Sequence, residues 1–345
     1  EGGNIQEEAF EAKDGVLVPG GTTHVVLDQK SLEVTDQFRS LGGTIRNCSG
    51  GVTPWGSWLT CEESATGPGQ KYGEGLNKNH GWVFEVPAAA TGLIDPKPLV
   101  AMGRFNHEAA CVDPATGFVY LTEDRDDSVL YRFIPAVQGE LSRGGRLQAM
   151  KVEGIPDLRN WKDISMAVGA AGKVSWIDLD SVEAPKDELR YQAAWKGASL
   201  VARGEGIHMG EGEAYVCSTS GGTRQLGQIF RVKLSPDGDS DRVELFFESV
   251  SKHQFDYGDN VVVAPNGHLV VCEDQYTEVV DNHLRGIAPD GHAYPLARLR
   301  LQTELAGACF SPDGQTLFVN VQAPTKTLAI TGPWNSFNAK TIVVS

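Results

Sequence analysis

The chain has 345 residues, 41% of them hydrophobic, and a formal charge of −15. That length holds one large domain or two ordinary ones with a sizeable core. So acidic a surface disfavours nucleic acid and anionic membranes as partners, and no apolar run approaches the roughly 18 residues of a membrane span.

Glycine (40) and proline (17) are abundant, and long runs of helix formers are missing, which points to many short strands and turns. In chain order, Gly21–Asp28 reads as an N-terminal strand. Gly43 to Glu63 reads as two short strands joined by a Pro-Trp-Gly turn, the first carrying Arg46 and Asn47 and the second ending in Cys61-Glu62-Glu63. The same plan returns at Gly117–Asp124, Gly212–Thr219, Gly267–Asp274 and Asp313–Gln322. Each is a turn, then an apolar run, then polar residues. Aligning Cys61, Thr122, Cys217, Cys272 and Asn320 gives spacings of 61, 95, 55 and 48 residues. The gap of 95 leaves room for a weaker sixth unit at Lys173–Asp178. Six units with a period of about 40–60 residues predict a six-bladed β-propeller. No linker interrupts the pattern, so residues 1–345 read as one all-β domain.

The innermost strand of a propeller blade lines a central funnel. Here the strand before each turn carries Arg46 and Asn47, His107 and Glu108, Arg203 and Glu205, Asp259 and Asn260, or Glu304, and the strand after it supplies Cys61-Glu62-Glu63, Glu123-Asp124 and Glu273-Asp274. Side chains alternate faces along a strand, so only some of each acidic pair can face one site. Several carboxylates and a thiol near one axis would repel one another unless cations offset them. Carboxylate and amide oxygens suit calcium, and a thiolate with carboxylates suits a transition metal such as iron. Taken singly, each acidic pair reads as a solvated strand end, Cys61 as a core thiol and His107 as a structural histidine. Their recurrence at one register is what favours a shared site.

Other patterns carry no chemistry. The six cysteines form no C-x-x-C pair, which argues against a zinc ribbon. Asp237-Gly-Asp-Ser-Asp241 with Glu248 imitates an EF-hand loop but has Arg242 at the glycine position, so it reads as an acidic hairpin turn. Gly204-Glu-Gly206 and Gly221-Gly222 lack the Lys-Ser/Thr of a phosphate loop. No Gly-x-Ser-x-Gly elbow is present.

Several long motifs resemble the PhoX-type alkaline phosphatases. They are Thr53-Pro-Trp-Gly-Ser-Trp-Leu-Thr-Cys-Glu-Glu63, Gly103-Arg-Phe-Asn-His-Glu108, Tyr120-Leu-Thr-Glu-Asp-Arg125, Ala202-Arg-Gly-Glu-Gly206, Cys272-Glu-Asp274 and the stretch from Glu304 to Trp334. The resemblance runs from about Gly20 to Trp334. It implies a six-bladed propeller that hydrolyses phosphate monoesters at a centre of Fe3+ and Ca2+. It places iron on Cys61, with further metal ligands at Glu62 or Glu63, Glu108, Glu123 or Asp124, and Glu205, to which the shared register adds Glu273 and Asp274 as candidates. Arg203 would hold the phosphate beside Glu205, with Asn47, Arg46 and His107 near the substrate. The family is exported, which implies a periplasmic or extracellular protein. The chain starts at Glu1 without Met, so it reads as a processed or trimmed product that begins after an upstream segment normal in the family. A monomer acting on small phosphate esters is expected. A calcium-dependent propeller lactonase or organophosphatase, with Glu205, Asn260 and Glu108 on one calcium, is the rival reading. A non-catalytic, calcium-stabilised binding propeller is the third.

Overall fold

Short β-branched and aromatic runs between Gly- and Pro-containing turns become strands almost throughout the computed structural model, which describes residues 9–13, 16–274 and 282–334. The chain divides into two compact units, one of Glu1–Lys151 with Trp176–Ala198 and one of Val152–Ser175 with Ser199–Ser345.

The first unit opens with β1 (Ala12–Lys13) paired to β2 (Val16–Leu17). The long ladder of β3 (Gly20–Leu27) and β4 (Val34–Thr44) follows, so the expected N-terminal strand is present. Next come two antiparallel meanders, the blade-like unit of a propeller. One is β5 (Asn47–Val52), β6 (Ser57–Glu62) and β7 (Val83–Pro87). The other is β8 (His107–Val112), β9 (Val119–Glu123), β10 (Tyr131–Pro135) and β11 (Gly145–Val152). The same unit holds the helix α1 (Leu189–Trp195). Phe10, Leu41, Trp82, Phe84 and Val86 pack together as part of its core.

The second unit repeats the plan. β12 (Ala171–Asp178) precedes the meander β13 (Gly204–Met209), β14 (Glu213–Ser218), β15 (Gln228–Lys233) and β16 (Arg242–Glu248). β17 (Gly258–Val263), β18 (Leu269–Glu273), β19 (His283–Ile287) and β20 (Ala293–Arg298) form another, and β21 (Leu305–Phe310), β22 (Thr316–Val321) and β23 (Lys326–Thr331) a third. Apolar side chains from neighbouring meanders interdigitate, as where Phe247 and Phe255 meet Val261 and Val271, and Val262 and Cys272 meet Leu305 and Val319.

The segment Lys173–Asp178 departs from expectation. It lies in β12, which pairs with the outer strand β16 through Ala171–Lys173. It is hydrogen-bonded to the outer strand of that meander and is not the second strand of a sixth meander. The acidic run at Asp237–Asp241 is the expected hairpin turn between β15 and β16, with Asp237 Oδ1 accepting the Asp239 and Ser240 N–H groups.

Glycine lets the innermost strands approach closely. A Cβ on Gly51 of β5 would collide with the Ala110 carbonyl oxygen of β8, and one on Gly206 of β13 would come within 2.7 Å of the Asp259 carbonyl oxygen of β17. These contacts set β5 beside β8, and β13 beside β17.

Candidate metal and phosphate site

Four of the meanders build their polar ends in one way. Asn47 faces Glu62, His107 faces Glu123, Gly204 faces Ser218 and Gly258 faces Glu273. The ladder is then broken by a bulge before pairing resumes at Gly50, Ala110, Ile207 and Val261. A bulge re-aims the side chains it carries, and the residue that enters it is Cys48, Glu108, Glu205 or Asp259. Just outside the ladder a further backbone bond closes the end: Glu63 N–H to Arg46 O, Asp124 N–H to Asn106 O, Thr219 N–H to Arg203 O and Asp274 N–H to Tyr257 O. Arg46, Arg203 and Tyr257 hold positive φ angles of 40°, 47° and 54° at this point. Unbranched or aromatic side chains rarely adopt that conformation, so the turn into the bulge is a strained one.

Within each acidic pair the two residues part company. Glu62, Glu123 and Glu273, the last residues of their strands, are fully buried in scaffold bonds. Glu62 accepts the N–H groups of Ile45, Gly81 and Trp82 at 2.8–3.1 Å and faces His80 Nδ1 at 2.6 Å. Glu123 accepts the Tyr131 hydroxyl at 2.7 Å and lies 3.4 Å from Arg190 Nη1. Burial pushes its carboxyl up to about 7, against the pull of Arg190 and Tyr131. Glu273 accepts from Arg285 Nε at 2.6 Å and from the Asp256 and His283 N–H groups at 3.0 Å. Their successors Glu63, Asp124 and Asp274 lie one residue past the ladder and are not drawn into those bonds.

Three of the expected residues near iron or substrate also have interior places. Cys61 is completely buried in β6, and burial, aided by the charge of Glu108, lifts its thiol well above the ordinary range. His107 is buried against Phe105, its ring centroid 3.6 Å away, and its Nε2 bonds Gly103 O at 2.9 Å. Burial lowers it to about 3, so the ring is neutral. Asn47 accepts the Thr44 hydroxyl at 2.6 Å and donates to Thr60 Oγ1 at 3.1 Å, within its own end of the molecule.

Within each unit, among the described residues, the structure draws one group of metal-capable side chains together. In the first unit Cys48, Glu63 and Glu108 bring their donor atoms within 4.8 Å of one another. Burial raises the Glu63 carboxyl, Arg46 pulls it down, and the neighbouring Asp124 pushes it up again. Arg46 Nη2 bonds Glu63 Oε2 at 2.8 Å while most of the arginine stays in solvent. In the second unit Asp259, Asp274 and Glu304 form a like group within 4.8 Å, and the buried Asp274 Oδ1 has no hydrogen-bond partner among the described residues. Beside Glu304's own unit-mates, Arg203 Nη2 bonds the nearly buried Glu205 Oε1 at 2.5 Å.

The chemistry of these donors fits cations. Three carboxylates held together repel, and a hard divalent ion offsets the repulsion. The orphaned Asp274 oxygen fits a ligand atom waiting for such a partner. A thiol with two carboxylates fits a transition ion. Cys48, Asp259 and Glu304 were not among the ligands expected from sequence. Their shared register with Glu108, Glu205 and the residue before each inner strand is the signal that groups them.

An all-β scaffold of meanders that end in acids and arginines offers the donor types that metal- and phosphate-binding sites use. A family model described as alkaline phosphatase PhoX matches residues 19–325, so the chain belongs to the PhoX alkaline phosphatase family, which is a family of phosphoric monoester hydrolases. Among solved structures, Pseudomonas fluorescens PhoX in complex with vanadate, a transition state analogue, is 20% identical and superimposes with a TM-score of 0.65, covering 90% of this chain and 75% of that one. The two share a fold. Virginiamycin B lyase from Staphylococcus aureus matches at 13% identity over 82% of this chain and 69% of its own, with a TM-score of 0.36. A gluconolactonase from Xanthomonas campestris matches at 12% identity over 80% and 90%, with a TM-score of 0.32. A search of curated protein sequences found no match. Among the described residues no helix is long and apolar enough to cross a membrane.

Proposed function

We propose that the protein hydrolyses phosphate monoesters with the aid of Fe3+ held by Cys48, Glu63 and Glu108 and Ca2+ held by Asp259, Asp274 and Glu304. Family membership supports the reaction, and the two three-donor groups support the ions. Such cations supply, when bound, positive charge that offsets the charge of the phosphoryl oxygens.

The chain's own residues do the rest. Arg203 presents its fork of N–H donors to the phosphate, a geometry suited to a planar pair of oxygens. Glu205 grips one end of that guanidinium and so fixes its direction. Arg46, largely exposed and tethered by Glu63, offers a second positive group on the first unit. Glu62, Glu123 and Glu273 hold the strand ends in place from behind. The neutral His107 and the buried Cys61 have scaffold roles in this reading, so the thiol donor is Cys48. The acids are spent as ligands, and none is assigned as a general base. The protein acts as an exported monomer on small esters, as the family resemblance implies.

The observation that carries the reading is the grouping of Asp259, Asp274 and Glu304, with an Asp274 oxygen that has no partner among the described residues, in a member of this family. Protein purified without chelators is assayed on p-nitrophenyl phosphate and analysed for iron and calcium. Turnover that disappears on chelation and returns with the ions supports it. Absence of turnover in metal-replete protein, or full activity after complete chelation, refutes it.

A further inference from the structure

The residue just before each inner strand is Arg46, Asn106, Arg203, Tyr257 or Glu304. Arg46, Arg203 and Glu304 turn their side chains toward the acidic groups. Asn106 behaves otherwise. Its side chain is buried, and its Oδ1 accepts both the Ala65 N–H and Arg125 Nη2 at 3.0 Å. Its main-chain oxygen accepts the Asp124 N–H at 3.3 Å.

Three chain segments therefore meet at this one residue. Ala65 lies two positions after Glu63, Arg125 one after Asp124, and Glu108 two after Asn106 itself. Arg125 is braced in turn by Asp187 Oδ2 at 3.2 Å, and Asp187 by Arg190 at the start of α1. Other side-chain bonds tie the same segments, among them Arg104 Nη2 to Thr66 O at 2.8 Å and a side-chain hydrogen bond between Glu63 and Asp124. The Asn106 amide differs in joining, through one oxygen, the backbone just after Glu63 to the side chain just after Asp124.

We propose that Asn106 is the positioning residue of the Cys48–Glu63–Glu108 group, holding the carboxylates of two meanders at the separation a shared cation requires. The inference rests on the metal reading given above. Like charges brought together drift apart unless the backbone that carries them is pinned, and residues that orient ligands from behind typically govern metal retention by about 10–100-fold.

The test compares Asn106→Ala with Asn106→Asp in the full chain. Both bonds use Oδ1 as acceptor, so aspartate keeps them and alanine loses them. Protein purified with its iron and calcium is mixed with EDTA, and metal release, thermal midpoint and the kcat and KM for p-nitrophenyl phosphate are followed. Asn106→Ala should release iron about 10–100-fold faster than wild type, with the loss falling on kcat, whereas Asn106→Asp releases it no faster than wild type. Arg125→Gln, which removes one of the two bonds, should fall between them and serves if the alanine variant does not fold. A wild-type release rate in Asn106→Ala or Arg125→Gln, whatever the thermal midpoint, overturns the positioning role, as does equal acceleration by alanine and aspartate. Wild-type protein that retains no iron overturns the metal reading itself, and the inference with it.

Discussion

Glu11→Ala tests how the N-terminal segment supports the strand end at Glu62. Glu11 lies outside the stretch matched by the family model, yet it is buried beside His80. Its Oε1 accepts the Asn77 N–H at 2.5 Å, and its Oε2 accepts the Lys78 N–H at 3.1 Å and lies 3.0 Å from His80 Nε2. The other ring nitrogen of His80 is 2.6 Å from Glu62. A fully buried imidazole is thus clamped between two carboxylates. Burial pushes His80 down, but Glu62 and Glu11 outweigh it and hold it above its ordinary 6.5. Burial pushes Glu11 up, but the Asn77 and Lys78 N–H groups and His80 hold it below its ordinary 4.5. Removing Glu11 leaves two backbone donors and half of a buried ion pair without a partner, which costs about 3–5 kcal/mol. An unfolding entropy of about 2.1 cal/mol/K per residue gives ~0.7 kcal/mol/K for a chain of this length unfolding as one unit, so the midpoint should fall by about 4–7 °C. Thermal unfolding followed by far-ultraviolet circular dichroism measures it. The sign with pH follows from linkage. The contribution of His80 is complete below 6.5 and is lost as pH rises through its raised folded value. That of Glu11 is complete above 4.5 and is lost as pH falls through its lowered one. The gap between wild type and variant should therefore be widest between those limits and narrow on the alkaline side. A midpoint shift of less than about 1 °C across that range would refute the clamp.

Cys48→Ala should abolish bound iron, read by elemental analysis, while Cys61→Ala keeps the iron and loses about 1–3 kcal/mol of stability from an imperfectly filled interior. Loss of iron from the Cys61 variant alone would restore the ligand expected from sequence. Arg203→Ala should lower kcat/KM on p-nitrophenyl phosphate by about 10²–10³, as removal of one charge-stabilising donor does. Unchanged kinetics would remove Arg203 from the phosphate. Asp274→Asn should retain less calcium in equilibrium dialysis than wild type, and equal retention would exclude Asp274 as a ligand. Gly51→Ala should lower the thermal midpoint through its clash with the Ala110 carbonyl, and an unchanged midpoint would show that β5 and β8 can separate without cost.

Much of the fold was legible because strand ends obey a strict register. The residues aligned from sequence, Cys61, Thr122, Cys217, Cys272 and Asn320, all stand one place before the end of the second strand of a meander. The chemistry at those ends was legible only as pairs. Alternation says that Glu62 and Glu63 face opposite ways, but not which way is inward. That choice depends on His80 and the N–H groups of residues 81 and 82, nineteen or so positions away. The thiol was sought at Cys61, next to its acids in sequence. A bulge brings Cys48 to the acids instead, and bulges leave little trace in a hydrophobic pattern. Helix α1 was missed because only seven residues form it. The clamp at Glu11 was missed because a lone acid near a terminus has no pattern to betray a partner 69 positions on.

The recurring break in the inner ladders makes the ends of the meanders interchangeable addresses. In each, one slot lies inside the break and one just beyond the last pair, and the surrounding backbone bonds do not depend on what fills them. Thr219 occupies the outer slot where Glu63, Asp124 and Asp274 sit in the other meanders. A scaffold of this sort can swap a carboxylate for a hydroxyl or a thiol at one address while its neighbours keep theirs, so the choice of ion can be retuned one meander at a time without refolding the protein.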